Sequence, residues 1–347
     1  MEPPVLAHVI RGETIESIHR GHFAVVDGLG NVVHSAGDPG VVTYFRSASK
    51  AFQAMPCLTS GASDRFGFND EEIALAVASH SGEPRHVEIA ARMLAKIGLS
   101  ESDLRCGSHL PFNVAEAHRM IAAGEKPTQL HNNCSGKHSA MLGLAVQLGA
   151  DVRNYESLTN PVQEAILDCV SRFTDISPHA IAIGIDGCAA PNFAVPLASM
   201  AKSYARLISP PESIGAKTRE SCSRIVSAML KYPELIGGTE RLDTLIMHAA
   251  PGKLISKVGA DGVWLGGVLP CEKWPNGLGI ALKIEDGDDF ISRPVVVIDI
   301  LRKLGILSED DLTDLSPMPV TNRRGDLVGR VMSVAFHNPE AQITDQL

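Results

Sequence analysis

RSASKAFQAMP, residues 46–56, is where the chain changes character. The stretches before it are short and β-branched: LAHVIR (6–11), HFAVVD (22–27), NVVHS (31–35) and VVTYF (41–45), with Gly-Leu-Gly-Asn (28–31) as a hairpin turn. After it, apolar residues recur at three- and four-residue spacing. This predicts helices over 47–59, 70–78, 87–97, 114–123, 137–148, 161–173, 195–207 and 217–230, with one strand, AIAIGID (180–186), among them. Asn160-Pro161 is a cap followed by proline at the first helical position. Strands return in KLISKVG (253–259), GVWLGGVL (262–269), LGIALKI (278–284) and LVGRVMSVAF (327–336), with a helix over 294–304. Strands at both ends with helices between predict an α+β fold, an α/β sandwich. Its sheet is mostly antiparallel and built from N- and C-terminal strands, with helices covering it and forming a lobe. Strand–helix alternation is absent, which excludes a Rossmann or TIM reading. The expected organisation is one catalytic domain, 1–347, with a helical lobe over about 47–230 inserted between the terminal strands.

The turning point also carries chemistry. Ser47 and Lys50 stand three residues apart at a helix start, so hydroxyl and amine share a face. A neutral lysine there can take the serine's proton and make it a nucleophile, as in penicillin-binding proteins and serine β-lactamases. The motif is common, and a second copy, Ser199 and Lys202, lies in a plain helical stretch. Its meaning depends on the other segments.

Composition narrows the classes. The chain has 347 residues, 44% hydrophobic and 20% charged, which is ordinary for a globular protein. A net charge of -9 argues against nucleic acid as the main partner. MEPPVLAHVIRGETIE has neither a basic nor an apolar segment of a secretory signal, and no apolar run is long enough for a bilayer. The expectation is a soluble, cytoplasmic protein with no membrane partner. Seven scattered cysteines, Cys57, Cys106, Cys134, Cys169, Cys188, Cys222 and Cys271, never form Cys-x-x-Cys and make no disulfide framework.

Four further segments hold polar residues where a core is expected. ASHSGEPRH (78–86) is either an active-site wall led by Ser79 or a helix end stopped at Gly82. HNNCSGKHSAML (131–142) is either a helix N-terminus facing an anion, with Cys134 beside Lys137, or a capped helix with a buried cysteine. IGIDGCAAPNFAVPLASMA (183–201) brings Asp186 and Cys188 to a strand end. With Cys134 and Lys137 these could hold Zn²⁺, although the spacing itself gives little support. SKVGADGVWLGG (256–267) puts Lys257 on an apolar strand, where it must snorkel, pair, or work at a depressed pKa.

In order, RS-x-x-K (46–50), ASHSGE (78–83), NCSGKH (133–138), DGC (186–188) with Pro-x-Phe-Ala (191–194), and KVGADGV (257–263) resemble the asparaginase II family, the class 3 or rhizobial-type L-asparaginases. The resemblance covers nearly the whole chain. It implies a fold similar to serine β-lactamases and serine-dependent glutaminases, and hydrolysis of L-asparagine to L-aspartate and ammonia. It implies two catalytic pairs, Ser47 with Lys50 and Ser79 with Lys257. It implies substrate contacts from Arg46, His80, Asn133, Ser135, Gly136, His138 and Asp186, a zinc site at Cys134, Lys137 and Cys188, and a homodimer. Two positions depart from the family pattern: Ala51 follows the lysine where proline is frequent, and Asp261 stands where the turn usually has Glu.

Rival readings predict different behaviour. A penicillin-binding or β-lactamase-like enzyme would be labelled by penicillin at Ser47. A glutaminase would accept one more methylene. A non-catalytic zinc or amino-acid-binding regulator would bind asparagine without turnover. A zinc amidohydrolase would tolerate Ser47→Ala.

Overall fold

The computed structural model describes residues 2–336 and the backbone of 342–343. In chain order the strands are β1 (Val5–Arg11), β2 (Thr14–Asp27), β3 (Val32–Ala36), β4 (Val42–Tyr44), β5 (Ala182–Ile185), β6 (Pro191–Pro196), β7 (Leu254–Val258), β8 (Val263–Val268), β9 (Leu278–Ile284), β10 (Met318–Thr321) and β11 (Leu327–Ser333). The helices are α1 (Lys50–Thr59), α2 (Ala62–Arg65), α3 (Asp70–Ala76), α4 (Pro84–Ile97), α5 (Val114–Ala123), α6 (Ser135–Leu148), α7 (Pro161–Thr174), α8 (Leu197–Ile208), α9 (Ala216–Lys231), α10 (Pro233–Ile236), α11 (Leu242–Ala249) and α12 (Ser292–Lys303). The chain divides into two compact units, residues 1–48, 195–209 and 245–347, and residues 49–194 and 210–244. The sequence-based lobe of about 47–230 differs in two respects: α8 belongs with the sheet, and the helical unit runs on to residue 244.

The first unit is a sheet in the order β10-β11-β1-β2-β9-β8-β7, with β3 also on β2. Its ladders are antiparallel. β2 is twice as long as the sequence suggests. Its exposed first half pairs with β1, and its buried second half pairs with β3 and β9. The polar run TIESIHRG hides that first half from an apolar-pattern reading. β7 and β8 are buried at every position and β9 at all but Lys283, which is why they read as continuous apolar runs. α8 packs on β2, β8 and β9, and α12 on β1, β8, β9 and β11. The α8 start is tied to the 39–41 segment by Leu197 N–H to Val41 O (2.9 Å) and Ala198 N–H to Pro39 O (2.8 Å).

The second unit is built around α6. Its first eleven residues are all buried, as expected of a helix enclosed on every side. α1, α2, α3, α4 and α7 pack against it. α3 opens with a capping box between Asn69 and Glu72. The fully buried Glu72 carboxylate also takes Arg92 Nε (3.0 Å) and Lys96 Nζ (2.7 Å) from α4. β5 and β6 form a hairpin, with Ala182 opposite Ala194 and Ile185 opposite Pro191. β6 escapes sequence reading because prolines stand at both of its ends.

Candidate active site

In the helical unit the site starts at Lys50, the first residue of α1, which is 1% exposed. Its Nζ reaches Ala78 O (2.7 Å), Ser79 Oγ (2.8 Å) and Asn133 O (3.2 Å). Carbonyl oxygens only accept, so two N–H bonds are committed to Ala78 and Asn133. In the neutral amine the lone pair is then left for the Ser79 hydroxyl. Burial pushes the Lys50 pKa down, with the Lys137 charge adding to the effect and Cys134 opposing it. Ser79 follows the end of α3, and its own N–H is held by Ile236 O (2.9 Å).

Next to it, His80 is completely buried. Gly82 N–H donates to its Nδ1 (3.2 Å), so its proton sits on Nε2, facing Ser135 Oγ (2.9 Å). The ring stacks on His86 at 4.9 Å. Burial, then the neighbouring His86, drives the His80 pKa well down, so this is a neutral donor that orients Ser135.

Ser135 opens α6. Asn132 organises that turn: its Oδ1 accepts from Cys134 N–H (2.9 Å), and its Nδ2 donates to Cys106 O (2.9 Å) and Gly107 O (3.1 Å). Gly136 lies against the end of α3, where a Cβ would stand 2.2 Å from Leu75 O. Only glycine allows the approach that brings 133–138 beside 78–80.

One turn on, Lys137 Nζ meets Cys188 Sγ at 3.0 Å, both groups buried. Cys188 sits at the tip of the β5–β6 hairpin, closed by Ala189 N–H to Asp186 O and Asp186 N–H to Ala190 O (both 2.9 Å). The hydrogen bond from Cys134 and the charge of Lys137 pull the Cys188 thiol far down, against burial. Its bond to Cys188, then burial, pushes Cys134 well up. Burial disfavours the Lys137 charge, but the Cys188 and Cys134 sulfurs outweigh it and raise its pKa.

Tyr155 OH accepts from Arg105 N–H (2.9 Å) and donates to His138 Nδ1 (2.7 Å). The buried Nε2 of His138 has no hydrogen-bond partner among the described residues. Asp186 is half-buried; its Oδ1 accepts from Gly187 N–H (3.0 Å), and its charge adds to the rise of Lys137.

Among the described residues no three of His, Cys, Asp and Glu are grouped to hold a metal. The cluster nevertheless offers two soft sulfurs and an amine nitrogen, a donor set whose chemistry fits zinc once the amine is deprotonated.

The remaining sequence-nominated groups belong to the sheet unit. Ser47 lies half-buried on the 3-10 turn Arg46–Ser49, which Tyr204 of α8 holds by donating to Ala48 O (2.9 Å). Lys257, 1% exposed on β7, donates to Val258 O (3.1 Å). Arg46 pairs with Asp261. The sequence pairs Ser79 with Lys257, and the geometry within the helical unit puts Ser79 on Lys50. Asn132, His86 and Tyr155 were not singled out. His86 stood inside a quoted segment, whereas Tyr155, in a loop, carries no pattern that marks it.

The family described as L-asparaginase II matches residues 7–333. Among solved structures, the chain is 14% identical to a probable glutaminase from Bacillus subtilis complexed with 6-diazo-5-oxo-L-norleucine, with 83% of this chain and 85% of that one covered and a TM-score of 0.39. It is 15% identical to a Bacillus subtilis glutaminase in covalent complex with 5-oxo-L-norleucine, with 83% and 89% covered and a TM-score of 0.40. Among curated proteins no similar sequence is found.

Proposed function

The chain belongs to the L-asparaginase II family and is an amidohydrolase, and from that premise we propose that it hydrolyses L-asparagine to L-aspartate and ammonia through a serine nucleophile. The observation that supports a base here is Lys50: a buried amine with two N–H bonds spent on carbonyls and its third direction on the Ser79 hydroxyl, the group proposed to carry the proton onward. Its burial lowers its pKa, which favours the neutral, proton-accepting form.

Ser47 Oγ attacks the side-chain amide carbon while Lys50 takes the hydroxyl proton. The oxyanion is stabilised by backbone N–H groups at the Ser47 turn. The C–N bond breaks, and the nitrogen leaves as ammonia with the proton returned from Lys50 through the Ser79 hydroxyl, Lys257 supporting that transfer. Water then attacks the acyl-enzyme and gives its proton to the same base, which passes it to the departing Ser47 Oγ, so that aspartate is released and the serine and neutral lysine are restored. His80 holds Ser135, and with Asn133 and Asp186 these groups set the substrate-binding surface.

Zinc would be held by Cys134, Lys137 and Cys188. When bound it supplies a fixed positive charge that orders the site, and the serine supplies the nucleophile. The proposed assembly is a homodimer, checked by light scattering on the purified protein.

Ammonia release from L-asparagine, with L-glutamine in parallel, tests the reading. Fast release from asparagine, lost by several orders of magnitude in Ser47→Ala, is expected. Near-full activity of Ser47→Ala overturns the nucleophile. Faster release from glutamine moves the assignment to a glutaminase, because one methylene is worth only about 1–3 kcal/mol of discrimination.

A further inference from the structure

The residue immediately before Ser47 has an unusual backbone. Arg46 lies at φ +50°, in the left-handed region that a non-glycine residue rarely occupies. The residue its guanidinium pairs with, Asp261, also lies there, at φ +56°. Two such residues joined through their side chains need an explanation, and the surroundings within the sheet unit supply one.

Asp261 sits in the turn between β7 and β8, four residues after Lys257. That turn is fixed from several sides. Gly259 N–H donates to Val263 O (2.8 Å), and Gly262 N–H to Asp289 Oδ1 (2.9 Å). The buried Arg293 on α12 donates to Gly259 O (2.8 Å) and Val263 O (3.3 Å), and Lys283 Nζ donates to Asp261 O (2.7 Å). The same turn lies against the strand that leads into Ser47: a Cβ at Gly259 would stand 2.8 Å from Phe45 O. The turn is therefore a rigid platform, and Asp261 is the charged group it presents to Arg46.

We propose that Asp261 is a positioning residue: its carboxylate holds the Arg46 guanidinium and, through it, the left-handed step that aims Ser47. The inference rests on the reading of Ser47 as nucleophile. It gives Arg46 a role toward its own backbone instead of toward the substrate. It also makes one turn responsible for both Lys257, at its β7 end, and the orientation of Ser47.

The test compares kcat and KM for ammonia release from L-asparagine. Asp261→Asn is expected to lower kcat about tenfold, as small misplacements of a reacting group do, with KM within about twofold. Asp261→Glu, which restores the charge, is expected to recover most of the loss. Arg46→Gly takes the left-handed step without help. Its kcat is expected to exceed that of Arg46→Ala by at least about threefold and to lose nothing more when combined with Asp261→Asn. A rise in KM alone, an unchanged kcat in Asp261→Asn, or equal kcat in Arg46→Gly and Arg46→Ala each overturns the proposal. Should Asp261→Asn fail to fold, the Arg46 pair of variants decides by itself. Ser47→Ala separates the two levels. If it stays active, the nucleophile reading fails and this inference with it; if it is inactive while Asp261→Asn is normal, only this inference fails.

Discussion

Lys50 and Lys137 each lie in the first turn of a helix in the same unit, each 1% exposed, and their pKa values move in opposite directions. Lys50 faces two carbonyls and a hydroxyl, so desolvation outweighs the pull of Cys134 and its pKa falls. Lys137 faces a thiolate 3.0 Å away, and its pKa rises in spite of equal burial. Burial alone therefore does not decide whether a lysine is a base; the charge of its nearest partner does. One unit thus holds one lysine whose surroundings favour the neutral amine and another whose neighbouring sulfurs, with no metal present, favour the ammonium.

The largest effect should come from erasing this difference. Lys50→Arg places a group that cannot lose its proton where a base is needed, and kcat is expected to fall by about 10³ or more. Ammonia-release kinetics check it; activity within tenfold of wild type would remove Lys50 as the base. Lys137→Arg keeps a cation, so its fold should persist while bound zinc, measured by elemental analysis of the purified protein, disappears.

Cys188→Ala attacks the other side. It leaves the Lys137 ammonium buried without its counter-charge, which is expected to cost about 3–5 kcal/mol in urea unfolding. A cost under about 1 kcal/mol would mean that Lys137 is already neutral. Glu72 poses the same question with the sign reversed, as a buried carboxylate with two partly exposed cations. Glu72→Gln should cost about 2 kcal/mol, because Arg92 and Lys96 can turn to solvent.

The pH profile sharpens the contrast most gently. Protonated Lys50 cannot accept the Ser47 proton, so kcat/KM should rise with pH through the Lys50 pKa. Because that pKa is depressed, the plateau should begin below 10.5, the ordinary lysine value. In Lys50→Arg the limb should vanish. A wild-type limb at the ordinary lysine value would mean the pocket does not favour the neutral amine.

Much of the frame was legible because its signals are local. The buried strands β7 to β9 announce themselves as continuous apolar runs, and α4 to α7 by their periodicity and caps. β6 was lost to its terminal prolines and the first half of β2 to its exposed polar face. The candidate site was legible as residue types and much less as partners. Ser79 reaches Lys50 because the chain turns off α3 at Leu75 and Gly136 lets α6 close on it. That packing arises between segments tens of residues apart, and no spacing in the sequence encodes it. The opposed pKa shifts of Cys134 and Cys188 and the tautomer of His80 depend on the same tertiary proximity.

The sheet has a consequence for the order in which the protein is made. β1 pairs Ala7 with Ser333, and β2 pairs Gly21 with Ile284, so strands that leave the ribosome first wait for strands that leave it last. Until β9 and β11 are synthesised, the buried half of β2 and one edge of β1 are open apolar ladders, a standing invitation to chaperones and to mispairing between nascent chains. A stop codon at Leu327 would remove β11 with everything after it and spare every group named in the chemistry, yet it would leave β1 with an open edge for the life of the protein.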